Sequence, residues 1–145
     1  MSYKKYNKIL TQLALLAICF AAPIVQSEVV VVVSASNPVS SLSKSQVAKI
    51  FLGKSYRFPD GSRAVPLNQG EGTFERDDFY QLVSNQSPAQ VKAHWSKLIF
   101  TGRGRPPREA TNSDAVKQLL AGNGVNIGYI DHTAVDDSVK IVTIK

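Results

Sequence analysis

Ala64-Val65-Pro66-Leu67-Asn68-Gln69-Gly70-Glu71-Gly72-Thr73-Phe74 reads as a short strand, a glycine loop and the start of a helix. Two glycines let the backbone turn tightly and come close to another group. The first NH groups of a helix have no intrahelical partner and point outward as donors. Such a place suits an anion. Glu71, itself an anion, stands in the middle of it. Much of the chemistry of the chain turns on that residue.

Outward from this loop, strands alternate with helices. Glu28 to Ser34 holds five consecutive valines, and such a run reads as a strand buried on both faces. Ser43 is placed as an N-cap, with Gln46 three residues on to complete a capping box. Val47, Ile50 and Phe51 follow at helical spacing, and Gly53 stops that helix. Val65 and Leu67 form a second strand. Thr73 opens a helix through about Val83, with Phe74, Phe79, Leu82 and Val83 as its apolar stripe. Ser87-Pro88 starts another, the proline at its first position, with Val91, Trp95, Leu98 and Ile99 as the buried face. Thr101 to Ala110 is a basic loop. A helix from about Asn112 or Ser113 carries Val116, Leu119 and Leu120 and ends at Gly122-Asn123-Gly124. Asn126 to Ile130 is a strand, Asp131 to Asp137 a polar turn, and Val139 to Ile144 an edge strand. The class is α/β with a small mixed sheet flanked by helices.

The N-terminus has the pattern of a secretory signal peptide. Lys4, Lys5 and Lys8 are the basic part, Ile9 to Ala22 is mostly apolar, and a cut falls after Ser27. The apolar run is short for a membrane span and is interrupted by Thr11 and Gln12. The only cysteine, Cys19, lies within it, so the exported chain has no thiol chemistry. Residues 28–145 then form one domain, too short for two cores. The signal takes three of seventeen Lys and Arg and none of eleven acids, leaving a net charge of +3. That mild excess favours anions only weakly. Export also sets nucleic acid aside as a partner, and no membrane span remains after cleavage.

Three segments look familiar in order and spacing: Leu42 to Lys54, the strand with its Gly-x-Gly-Thr-Phe loop, and Asn126-Ile127-Gly128-Tyr129-Ile130. Together they resemble the periplasmic phosphate-binding proteins of ABC transporters, over about residues 29–142. Trp95 and the segment Phe100 to Pro107 resemble the short, single-lobe members. The resemblance implies one lobe of a type 2 periplasmic binding fold in an exported, non-catalytic protein with no cofactor. It also implies a small oxyanion such as phosphate as ligand and a transporter or envelope protein as partner. Full-length members close two lobes on the anion, so a homodimer would supply the second here. Gly70, Gly72 and Thr73 match the family's anion loop. The family's serine position is Glu71, and its arginine position falls on Leu67.

The candidate ligand site is therefore Gly70, Glu71, Gly72, Thr73 and Phe74, with Arg103 and Arg105 as candidate guanidinium clamps. Glu71 has three roles open to it: folding onto the helix start as an internal anion, pairing with Arg103 or Arg105, or recognising a cation. The loop also reads as a plain strand-to-helix turn in which Thr73 is an N-cap. Two prolines and two glycines around the arginines favour a solvated loop over a clamp. In a rival reading the lobe is an interaction scaffold, Glu71 plugs the ligand site, and the arginine loop docks a partner. No metal site is expected. Asp131, His132, Asp136 and Asp137 lack a ligand spacing. No Gly-x-Ser-x-Gly elbow or other catalytic set is present. Trp95 and Phe100 are expected in the core.

Overall fold

The computed structural model describes residues 27–145. The expected signal segment, with Cys19, lies outside the described residues. Five strands form one mixed sheet in the order β4-β3-β5-β1-β6. They are β1 (Val29–Ser34), β3 (Val65–Gln69), β4 (Arg108–Ala110), β5 (Asn126–Asp131) and β6 (Val139–Ile141). β1 runs antiparallel to both β5 and β6, whereas β3 runs parallel to β4 and β5. A separate two-stranded piece joins β2 (Ser41–Leu42) to β7 (Thr143–Ile144).

The valine run is covered on both faces, as its composition requires. Val29, Val31 and Val33 face a core that also holds Phe51, Phe79 and Trp95. Val32 faces the opposite core of Leu67, Val116, Leu120 and Ile130. The first core belongs to α1 (Lys44–Phe51), α2 (Phe74–Ser84) and α3 (Pro88–Phe100); the second belongs to α4 (Ser113–Gly122). The result is a three-layer α/β sandwich. Ser43 with Gln46, and Ser87 with Gln90, both close full capping boxes, and Pro88 occupies the first turn of α3. Asn112 caps α4 through the Ala115 NH. Among the described residues, no helix is long and apolar enough to cross a membrane.

Several expectations are corrected. The buried stripe of α2 is Arg76, Phe79, Tyr80 and Val83, while Phe74 and Leu82 are exposed. The stripe still has helical spacing, but a charged residue occupies one of its positions. On α3, Val91 and Trp95 are buried and Ile99 is exposed. Phe100 is not core: it is 93 % exposed at the end of that helix. The Thr101–Ala110 stretch is not all loop, since Arg108–Ala110 pairs with Leu67–Gln69. The last edge strand is two strands. Val142 donates its NH to Val31, and the chain then leaves β1 for β2.

Candidate functional site

The parallel trio β3, β4 and β5 points its C-terminal ends to one edge of the sheet, where α2 and α4 begin. In open α/β sheets this edge is where ligands bind. The Gly70–Thr73 loop lies there as a hydrogen-bonded turn, with the Thr73 NH donating to the Gly70 carbonyl at 3.2 Å. Gly72 has φ 85°, the left-handed value that the third position of such a turn demands and that glycine supplies without strain.

Thr73 stands at the N-cap position but does not cap. Its hydroxyl donates back to the Gly70 carbonyl at 2.9 Å, and no side chain binds the first turn of α2. The NH groups of Phe74, Glu75 and Arg76 meet no protein acceptor among the described residues. α2 thus begins open, unlike α1, α3 and α4. Glu75 and Asp77 lie in that first turn, and their charges already favour the positive end of the helix.

Glu71 neither folds onto the helix start nor pairs with Arg103 or Arg105. Its carboxylate accepts from Lys92 Nζ on α3 at 2.9 Å. That contact and the lysine charge hold its pKa below the usual carboxylate value. Both side chains are more than half exposed, so the pair is soft and screened by salt. Glu71, Arg76, Asp77 and Lys92 border one narrow crevice between the loop and α3.

Beneath the loop lies a buried polar network that was not anticipated. The Tyr129 hydroxyl accepts the Gln69 NH at 2.9 Å and donates to Asn68 Oδ1. Asn68 Nδ2 donates to the Tyr80 hydroxyl at 3.2 Å, and Gln69 Nε2 to the Tyr129 carbonyl at 3.1 Å. The Tyr129 ring is stacked on Phe79 with centroids 4.0 Å apart. Burial pushes the Tyr80 phenol up to about 12 and Tyr129 higher still. Both therefore act as neutral hydrogen-bonding groups. Arg76 Nη1 completes the set, donating to the Gln69 carbonyl at 3.1 Å and to Glu109 at 2.6 Å. A charge on a helix stripe and two polar residues at a strand end were the available signals. The Lys92 contact, 21 residues away in sequence, had none.

The arginine candidates are set apart from the loop. Arg103 and Arg105 follow the C-terminal end of α3 and line an open hollow with Ile99. Lys92 marks the loop's position near the other end, about 12 Å along the helix at 1.5 Å per residue. Asp131, His132 and Asp136 serve their turn. Asp131 accepts from Thr133, and Asp136 accepts from Ser138 and Lys117.

Among solved structures, the chain is similar to a phosphate ABC transporter substrate-binding protein from Clostridium perfringens, determined with bound phosphate. The identity is 24%, over 81% of this chain and 45% of that one, with a TM-score of 0.65. An ABC-type phosphate transport receptor from Vibrio cholerae gives 19%, 81%, 46% and 0.64 for the same quantities. PstS from Borrelia burgdorferi gives 10%, 82%, 47% and 0.62. The likeness establishes the fold, and the chain spans less than half the length of each of these structures. No protein-family model matches the chain, and no curated protein matches it in sequence.

Proposed function

We propose that the protein is an exported, non-catalytic solute-binding-like lobe that takes a small oxyanion, such as phosphate, weakly at the start of α2. In this reading it works in the periplasm beside a transporter or another envelope protein. The observation that carries the proposal is the position of Glu71. Lys92 draws the carboxylate aside, so the NH groups of Phe74, Glu75 and Arg76 remain open. The fold supports it further, since solved phosphate-binding proteins share this lobe. Weakness follows from the same geometry. Leu67 is buried apolar where the family has an arginine, and Glu75 and Asp77 compete for the helix end. One lobe also leaves the anion open to water, and a second copy of the chain is the proposed cover. Arg103, beyond the C-terminal end of α3, reaches such an anion only from that second copy.

Calorimetric titration with phosphate and sulfate tests the reading. Binding near millimolar Kd is expected, about 4 kcal/mol, and Glu71→Ser should shift it less than about tenfold, a step of 1.4 kcal/mol in binding free energy. No heat and no thermal shift at millimolar ligand would sink oxyanion binding. A silent wild type that gains binding in Glu71→Ser would favour the scaffold with a plugged site.

A further inference from the structure

A further concavity, of about 460 Å³, shares no lining residue with the crevice at Glu71 and only Arg105 with the hollow at Ile99. That is the size of a small-molecule site. Its apolar lining is Tyr56, Val65 and the Pro106-Pro107 pair, together with Ile50 and Trp95, which are themselves largely buried. Three arginines line it, Arg63 from one place in the chain and Arg105 and Arg108 from either side of the proline pair. The four ion pairs among the described residues all use other cations. The slot therefore presents apolar walls and unmatched positive charge together.

The walls are fixed before any ligand arrives. Gly53 has φ 72°, and a Cβ there would stand 3.0 Å from the Trp95 ring, so the indole is pressed against bare backbone. Pro106 and Pro107 hold their own φ angles. The pairing of Arg108 with Leu67 anchors the chain just beyond them. A bare inorganic anion would gain nothing from these walls, and a neutral apolar molecule would gain nothing from the guanidiniums. Guanidinium groups bind carboxylates in bidentate fashion and stack on aromatic faces.

We infer that this slot binds a small amphipathic anion, with a ring-sized apolar body against Trp95 and a carboxylate held by the arginines. The site is separate from the oxyanion loop and does not depend on it. Trp95 is the only tryptophan of the chain, so its emission reports occupancy directly. The test titrates the purified protein with phenylacetate and, in parallel, with the neutral 2-phenylethanol. A saturable change in Trp95 emission is expected with phenylacetate, at least fivefold weaker with the alcohol, and unaffected by millimolar phosphate. The double variant Arg105→Ala/Arg108→Ala, at two exposed positions, should weaken phenylacetate at least fivefold without moving the thermal midpoint. No saturable response up to 20 mM overturns the inference. So does equal binding of the alcohol, displacement by phosphate, or an unchanged affinity in the double variant. The comparison of acid with alcohol needs no variant and decides the matter if the double variant fails to fold.

Discussion

The Gly70–Thr73 loop has an underside and a top, and the two are built by opposite rules. Below it, Asn68, Gln69 and Tyr129 are buried, and each hydrogen-bonding group that they turn inward finds a partner. Above it, the first NH groups of α2 stay open and one exposed ion pair crosses to α3. A buried donor or acceptor left unmatched costs about 1–3 kcal/mol, whereas an exposed one is satisfied by water. The underside can therefore hold the loop's shape while the top stays open to a ligand. Stability belongs to one face of the turn, and the proposed binding uses the other.

The largest effect should come from below. Tyr129→Phe strands the Gln69 NH and Asn68 Oδ1 in the core. It should lower unfolding free energy by about 2 kcal/mol or more, read from the urea midpoint at constant slope. A loss under about 0.5 kcal/mol would mean that the network does not hold the loop. Caps come next. Ser87→Ala removes a full capping box and should cost about 1 kcal/mol. Thr73→Ala removes a hydroxyl that caps nothing and should cost only about a few tenths on the same scale. Equal losses would show that Thr73 caps α2 in solution and that its first turn is not open. The smallest effect belongs to the top. Lys92 lowers the Glu71 pKa in the folded state. The pair's contribution is therefore present above the ordinary carboxylate value and fades as pH falls through the folded one. Because both groups are exposed, Glu71→Gln should leave thermal midpoints unchanged at 0.15 M salt, and change them slightly, if at all, at low salt. A large shift at physiological salt would overturn the picture of a soft pair.

The sheet was readable because its strongest strand announces itself. Five valines leave few alternatives, and both cores fill from their alternating sides. Ser43 and Ser87 were readable because capping boxes are local. What was hidden depends on distance along the chain. Arg76 looks like a surface charge until β4 brings Glu109 beside it. Strand β4 itself is three residues, two of them charged, behind two prolines, so nothing in its composition signals a sheet. Phe74 reads as a stripe residue by chemistry and is exposed because the stripe begins at Arg76. The loop was legible as a turn, but the partner of Glu71 was not, since Lys92 belongs to a helix two elements on.

The brevity of β4 and β6, three residues each, has a consequence at the borders of the sheet. Unpaired outer strands invite other chains to extend a sheet, and short or charged ones discourage it. On the β4 side an incoming strand would find few donors, because Pro106 and Pro107 have no NH to offer, and it would meet Arg108 and Glu109 in succession. On the other side the chain turns away after Ile141 to join β2. The sheet is thus terminated at both borders by its own sequence, a safeguard against aggregation.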